Sequence, residues 1–504
     1  MKILTAAQIR AADAFTIAQE PISSLDLMER AANAVVAWLT QRHGSETPFF
    51  VFCGPGNNGG DGLAVARLLH QRGYDLHVFL VGAGPKQSSD FTQNLNRLPQ
   101  EIPVTPVTSA SELPTALPQQ AVALDALLGT GLTRALEGPF AQVVDYLNQQ
   151  PVPLVSVDVP SGLFTDAATP AGSTVVQADI TLTFEQPKLA FVLPSSGPNV
   201  GEWHVLPIGL HPDFLAQVTS PYQLLVPENV KKLLRPRAKF SHKGTFGHAL
   251  LAGGSYGKMG AITMSSQAAL RAGVGLLTVQ VPQVGYNILQ TAVPEAMVLT
   301  DEQADYLTQF PEDLSRYQCI GIGPGLGQAE ASGLALENLF RQKLPPLVLD
   351  ADALNLVASN RQLRQHLPPG SILTPHPKEF ERLTGPATSD DHRLQLLQSF
   401  CAEHDCYVVL KGAHTCIGTP TGDFYFNTTG NPGMATGGTG DVLTGILTGL
   451  RAQGYSALEA CQLGVYLHGL AGDLAAEALG EASLVASDVY RYLGAALKKL
   501  SQNP

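Results

Sequence analysis

Positive charge is in short supply in this chain. Against 43 Asp and Glu stand 31 Lys and Arg, a net charge of −12 over 504 residues. Nucleic acid and anionic membrane surfaces repel such a balance, so neither is expected as a partner. Long apolar runs are missing too. None reaches the roughly 18 residues that a bilayer-spanning helix needs. The N-terminal stretch MKILTAAQIRAADAFTIAQE has no apolar signal core and carries Asp13 and Glu20, so no secretory signal is expected. Cysteine is sparse and scattered: Cys53, Cys319, Cys401, Cys406, Cys416 and Cys461 form no CxxC pair and no zinc-ligand spacing. The plain reading is reduced, buried thiols in a cytoplasmic protein. Acidity does not exclude a nucleotide, because backbone amides and helix N-termini bind phosphate locally.

What is present suits a large α/β enzyme. Apolar residues make up 44%, enough for a sizeable core, and 504 residues exceed what one core holds, so two domains or more are expected. The 49 glycines and 36 prolines are spread between apolar runs, as tight loops require. Leu25, Met28, Ala32, Val35 and Leu39 step by three and four, predicting a helix from near Ser24 with Ser23 or Ser24 as its cap. Short apolar runs follow, each ending in a loop: PFFVFCG, DLHVFLVG, AVALDALLG, PLVSVDVPSG and DITLTF. Stretches of helical pattern lie between several of them, Asp61 to Arg72 being the clearest. This alternation predicts a parallel sheet covered by helices on both faces. The pattern weakens from Ile208 to Lys239, where the boundary is placed, giving domains over residues 1–220 and 226–504. The second series runs through GHALLAGGS, a helix over Gly260 to Ala272, LLTVQVP, CIGIGPGLG, PPLVLDADAL, SILTPHP and CYVVLKG. It closes with GNPGMATGGTGD and a helix over Val442 to Arg451. No internal repeat links the halves.

In the first half, three loops stand at predicted strand ends, where open parallel sheets bind ligands. Gly54 to Gly62 (GPGNNGGDG) permits close backbone approach to a phosphate, with a helix N-terminus adding partial positive charge. The second loop is Asp125 to Ala135 and the third Asp158 to Gly162. A lone Asp at a strand end is more often a cap or an anchor than a catalyst. Two acids with Asn58 and Ser161 supply oxygen ligands of little net charge, which suits K⁺ better than zinc. NNGGDG, D-x-LLGTGL and DVPSG, in that order, resemble the NAD(P)H-hydrate epimerase domain, over residues 1–220. The resemblance implies a Rossmann-like domain in which Asn57, Asn58, Gly59, Gly60, Asp61, Gly129, Thr130, Gly131, Leu132, Thr133, Arg134, Ala135 and Asp158 bind the hydrate. It implies K⁺ at Asn58, Asp125 and Ser161. For proton transfer at C6 of the hydrated ring, Asp158 is the candidate.

In the second half the dominant motif is Asn431 to Asp441 (NPGMATGGTGD). GTGD at a helix start places amides around a developing phosphate charge and Asp441 where a substrate hydroxyl can lose its proton. Its bland reading is an Asp that merely favours the helix dipole. Lys411 after CYVVL, taken alone, reads as solvated; His376 between prolines reads as structural; Gly323 to Gly327 is a turn. Together with KGTFGHALLAGGSYGKMGA, VLDADALN and LTPHPKEF these motifs resemble the ADP-dependent NAD(P)H-hydrate dehydratase domain, over residues 226–504. The resemblance implies a ribokinase-like, three-layer α/β/α domain, as for the first. Lys411, Gly412, Ala413, His414, Thr415, Asn431, Gly437, Gly438, Thr439 and Gly440 would bind ADP or AMP. Ala261, Gly325, His376 and Asp441 would contact the hydrate, Asp441 as catalyst. Thr245 departs from the family, which often has an acid there, and His414 stands where glycine is frequent.

The implied function is repair of hydrated nicotinamide cofactors: interconversion of R and S hydrates (NADHX and NADPHX), then ADP-driven dehydration of the S form, giving AMP and phosphate. It implies K⁺ in the epimerase domain, Mg²⁺ with ADP in the dehydratase domain, and a homo-oligomer such as a tetramer. The rival enzyme reading is a vitamin or sugar kinase fused to a nucleotide-binding domain. The rival non-enzymatic reading is a nucleotide-binding scaffold, which would tolerate loss of Asp158 and Asp441.

Overall fold

The computed structural model describes residues 1–82, 84 and 86–502. The chain divides into two compact units, Lys2–Ser220 and Met1 with Pro221–Pro504.

The first unit is built on seven strands: β1 Phe49–Cys53, β2 Leu76–Val81, β3 Val104–Val107, β4 Val122–Ala126, β5 Leu154–Val157, β6 Ile180–Phe184 and β7 Glu202–Leu206. They lie in the order β3-β2-β1-β4-β5-β6-β7, and every pair is parallel. Alternation along the strands splits the core in two. Phe49, Val51 and Cys53 pack with Leu39, Leu63 and Leu69 on one face. Phe52, Phe79 and Ala123 pack with Val143, Val144 and Leu147 on the other. Helices therefore cover both faces, as the alternating sequence pattern requires.

Helix starts are set by capping. Ser23 caps Ser24–Thr40 in a reciprocal capping box with Asp26. Thr5 and Gln8 do the same for an N-terminal helix, Ala6–Gln19, that the sequence reading did not anticipate. The backbone N–H of Ala6 also donates to both carboxylate oxygens of Asp166, at 3.1 and 2.9 Å. The helix expected from Asp61 begins four residues earlier, at Asn57, and runs to His70. The glycines of that first turn are there for packing. A Cβ on Gly59 would stand 1.7 Å from the Gly54 carbonyl oxygen, and one on Gly60 3.0 Å from the Met28 sulfur.

The second unit holds ten strands: β8 Tyr222–Leu224, β9 His248–Ala252, β10 Leu276–Val281, β11 Met297–Thr300, β12 Cys319–Ile322, β13 Leu347–Leu349, β14 Ile372–Leu373, β15 Tyr407–Leu410, β16 Cys416–Gly418 and β17 Phe424–Phe426. Their order is β11-β10-β9-β12-β13-β14-β15-β16-β17-β8. The sheet is parallel except where β16 pairs antiparallel with both β15 and β17. Two helices pack backbone to backbone on one face, Met259–Arg271 and Thr439–Ala452. Gly445 makes that approach possible: a Cβ there would meet the Ser265 carbonyl oxygen at 2.0 Å. The long helix Ala457–Leu479 and the last helix Ala486–Gln502 complete this layer. No helix of the described residues is long and apolar enough to cross a membrane.

Candidate active sites

In the first unit the strand order reverses direction between β1 and β4, so the loops after them diverge and leave a crevice. A cavity of about 470 Å³ opens there. Gly54 fixes the spacing of the two loops, since a Cβ on it would lie 1.9 Å from the Leu127 carbonyl oxygen. Asn57, Asn58, Asp61, Gly129, Thr130, Gly131, Leu132 and Asp158 all line the cavity. Gly59 and Gly60 do not; they are packed against Gly54 and Met28. Thr133, Arg134 and Ala135 are exposed on the loop beyond and do not line it either. The resemblance had grouped all five with the ligand-binding residues.

Asp125 is fully buried and does not itself line the cavity. Its carboxylate accepts from Ser156 Oγ at 2.8 Å, Ser161 Oγ at 2.6 Å and the backbone N–H of Ser161 at 2.8 Å. Burial pushes its carboxyl upward, and these hydrogen bonds oppose the push. Ser161 Oγ in turn accepts from the Leu128 N–H at 2.9 Å. Asn58 is buried beside Gly129, and neither its Oδ1 nor its Nδ2 has a hydrogen-bond partner in the structure. A buried, unpartnered amide is costly, and such a group calls for a ligand.

Asp158 follows β5 with φ of 66°, a left-handed conformation that non-glycine residues rarely hold. From that turn Asp158 lines the cavity. Lys188 Nζ donates to Asp158 Oδ1 at 2.6 Å and to Thr183 Oγ1 at 2.6 Å, and the lysine is almost wholly buried. Two charged groups of this neighbourhood escaped the sequence reading. Lys188 lies in what looks like a plain turn, Gln186-Pro187-Lys188. Asp13 reaches the cavity from the N-terminal helix. Burial first, then the Asp158 charge, lifts Asp13 to about 6. Asp61 is raised well above the usual carboxylate range, chiefly by burial and then by Asp158, Asp13 and Asp90.

In the second unit the order reverses between β9 and β12. Gly253 and Gly254 follow β9, and Gly323-Pro324-Gly325 follows β12; the Gly254 N–H donates to the Pro324 carbonyl at 2.8 Å. Gly325 has φ of 63°, and a Cβ on it would stand 2.5 Å from the Lys258 carbonyl oxygen and 3.3 Å from Ala261 Cβ. Ala261 and Gly325 are thus neighbours. Asp441 opens the helix Thr439–Ala452, and its carbonyl accepts from Ser265 Oγ at 2.7 Å. Burial, then the charge of Asp350, raises the Asp441 carboxyl to about 7.

Lys411 is not a solvated strand-end lysine. Its Nζ donates to Asp350 Oδ1 at 3.0 Å, and Glu379 Oε2 is 3.9 Å away. These acids hold the ammonium above its ordinary value although burial opposes them. Gly440 lies against this ammonium, with a would-be Cβ 3.3 Å from Lys411 Nζ. The lysine therefore reaches the N-terminus of the Asp441 helix. His376 Nδ1 accepts from the N–H groups of Lys378 and Glu379, at 3.1 and 3.3 Å, and so caps the helix Pro377–Thr384. Burial lowers its pKa, and an accepting Nδ1 leaves the proton on Nε2, which lies 3.5 Å from Glu379 Oε1.

The loop from Asn431 is tied down from a distance. Asp473, on the long helix, accepts from Gly430 N–H at 3.0 Å and from Asn431 Nδ2 at 2.9 Å. His468, lowered to about 4 by burial, is neutral and donates from Nε2 to the Thr439 carbonyl at 2.9 Å. Thr439 Oγ1 donates to the Met434 and Thr436 carbonyls, and Gly438, at φ of 98°, is the helix N-cap. Gly437 has open space around it. On the facing loop, Thr415 Oγ1 donates to the Gly412 carbonyl at 3.2 Å, Ala413 is exposed, and His414 Nδ1 lies 3.2 Å from the Asn427 carbonyl. Asp350 and Asp473 were not singled out from sequence, although Asp350 stands inside VLDADALN.

Comparison with known proteins agrees with this two-site architecture. A family model described as NAD(P)H-hydrate dehydratase matches residues 249–493, and one described as YjeF-related protein N-terminus matches residues 24–190. The bifunctional NAD(P)H-hydrate repair enzyme Nnr of Moorella thermoacetica is 35% identical over 518 residues, spanning 100% of this chain and 98% of that protein. Its counterpart from Coxiella burnetii is 36% identical over 489 residues, spanning 96% and 97%. Among solved structures, a ribokinase-like superfamily protein from Enterococcus faecalis is 31% identical, with a TM-score of 0.50, covering 57% of this chain and 99% of its own. With an α/β first unit, a ribokinase-like second unit and relatives matched from end to end, the chain belongs to the bifunctional NAD(P)H-hydrate repair enzyme family.

Proposed function

We propose that this chain restores hydrated NADH and NADPH in two steps, epimerising the R and S hydrates in the first unit and dehydrating the S hydrate in the second. The observation carrying this reading is Asp441, a carboxyl lifted to about 7 at a helix N-terminus where Lys411 also arrives. A base poised near neutrality beside a phosphate-binding terminus is suited to activating a hydroxyl for phosphoryl transfer.

In the second unit, Asp441 accepts the proton of the C6 hydroxyl as its oxygen attacks the β-phosphate of ADP, releasing AMP. The C6–O bond then breaks, phosphate leaves with the electron pair, and the ring nitrogen forms a C=N⁺ bond. Loss of a C5 proton yields NAD(P)H. Lys411 and the amides of Gly437 to Gly440 hold the nucleotide phosphates, with Asn431 and the Lys411 to Thr415 loop flanking it. Ala261, Gly325 and His376 position the hydrate. Mg²⁺, bound with the nucleotide, would neutralise charge on its phosphates.

In the first unit, Asp158 moves the proton at the C6 oxygen, with Lys188 fixing its carboxylate. The loops at Asn57 to Asp61 and Gly129 to Leu132 hold the dinucleotide. We assign K⁺ to Asn58, Asp125 and Ser161, and the residues fit such an ion. Asn58 Oδ1 is buried and unpartnered, and the set offers one carboxylate with two neutral oxygens. Bound there, K⁺ would supply a fixed positive charge to the site. A cytoplasmic location and self-association into a homo-oligomer complete the reading.

Incubating mixed hydrate epimers with ADP or ATP tests this. Absorbance should return at the NADH band, with AMP formed from ADP. Asp441→Asn should stop dehydration and leave epimerisation; Asp158→Asn should do the reverse. A stable phosphorylated product would identify a kinase instead. Either substitution stopping both activities would refute the division of labour.

A further inference from the structure

The N-terminal helix Ala6–Gln19 precedes the segment matched by the first family model, residues 24–190. It nevertheless walls the first cavity through Ile9, Arg10, Asp13 and Ile17, one helical face. A carboxyl between two isoleucines is an expensive choice unless it is used. The one buried ammonium nearby, Lys188, is committed to Asp158. No hydrogen bond or ion pair among the described residues engages the Asp13 carboxyl.

We propose that Asp13 is a second catalytic group of the epimerising site, acting with Asp158 on opposite faces of the hydrated ring. This rests on the epimerase reading given above. Inversion at C6 requires hydroxide to leave from one face and water to arrive at the other. A single carboxyl cannot serve both faces of a ring held in place, whereas carboxyls on two walls can. Asp158 comes from the end of β5, and Asp13 from a helix outside the sheet.

Protonated Asp13 gives its proton to the C6 hydroxyl, the C6–O bond breaks, water departs, and the ring-nitrogen pair forms C6=N⁺. Water then adds to the opposite face, the C=N⁺ pair returns to nitrogen, and the Asp158 carboxylate takes the added water's proton. Between turnovers solvent carries that proton from Asp158 back to Asp13. The reverse direction uses the same pair with roles exchanged, so the active form holds one proton over the two carboxyls.

The neighbours of Asp13 set where it titrates. Burial and Asp158 raise it to about 6, and Lys188 pulls the other way. Asp61, itself raised by burial and its acidic neighbours, faces the same cavity. Arg10 lies one turn earlier on the same helix. The adjoining helices bring Arg30, paired with Glu20, and His211, whose ring stands edge-on to Phe15. The one-proton form is lost as pH rises through the pKa of Asp13. kcat/KM for epimerisation should therefore fall above about pH 6.

The experiment follows R–S exchange without ADP, using the full chain across pH 5 to 9. Asp13→Asn should lower kcat about 100-fold with KM nearly unchanged, and the residual rate should lack the limb near pH 6. Asp13→Glu should keep that limb at a reduced rate, which separates lost chemistry from lost folding. If Asp13→Asn keeps the wild-type rate or leaves the limb in place, the proposal is overturned while the epimerase reading stands. If the wild-type chain does not interconvert the hydrates, both fall.

Discussion

Lys411 Nζ and Asp350 Oδ1 meet at 3.0 Å, and the other oxygen of that carboxylate accepts from Thr444 Oγ1 at 2.6 Å. One buried acid thus ties a strand-end lysine to the helix that carries Asp441. Asp350 is also the largest charge raising Asp441, after burial. Asp350→Asn should lower dehydration by about 10- to 100-fold. It should also move the acid limb of kcat to lower pH, because the base loses a negative neighbour. Epimerisation should be untouched. A pH–rate profile with the limb unmoved would contradict the link.

Asp441 should also register in stability. Its carboxyl holds a proton more tightly folded than unfolded, so the stability linked to it is complete below the ordinary carboxyl value of 3.8 and is lost as pH rises through about 7. Asp441→Asn removes that loss. The variant should match wild type in thermal unfolding near pH 4 and exceed it by about 2–4 °C at pH 8. Equal midpoints at both pH values would mean the carboxyl is not raised.

Gly54→Ala should damage the first unit. The added Cβ would lie 1.9 Å from the Leu127 carbonyl oxygen, which is backbone and cannot rotate away. A loss of about 3 kcal/mol is expected in urea unfolding of that unit, with epimerisation collapsing first. Dehydration of pure S hydrate should persist at urea concentrations where epimerisation has gone.

The cation is tested by exchange. Replacing K⁺ with tetramethylammonium should slow R–S exchange by at least about tenfold. Asn58→Ala should be slow in either salt. A variant that still responds to K⁺ would place the ion elsewhere.

Much of both sites was readable because glycine loops carrying acids sit directly after apolar runs. Asn58, Asp125, Asp158 and Ser161 stand on the adjacent ends of β1, β4 and β5 for that reason. What was not readable depends on distance or disguise. Asp473 fixes Asn431 from 42 residues away, on a helix whose local pattern speaks only of packing. Asp13 sits on a helix whose few large apolar residues, Ile9 and Ile17 among them, are diluted by alanines and polar residues, so no strong apolar stripe marks it. The first turn of Asn57–His70 looks like loop by propensity, yet close packing needs its glycines inside the helix. Strand β3 carries Pro106, which fits an edge strand and hides it from a pattern search. Strands β16 and β17, three residues each, are too short to announce themselves.

The first cavity has walls of different make. On the sheet side, Gly54 and Leu127 leave no room for adjustment. On the other side stands the N-terminal helix, whose first turn is fastened through the Ala6 N–H to Asp166. Anyone reshaping this enzyme for bulkier dinucleotide analogues should leave the glycine loops alone and recut Ile9 and Ile17, the two aliphatic staves of the helical wall.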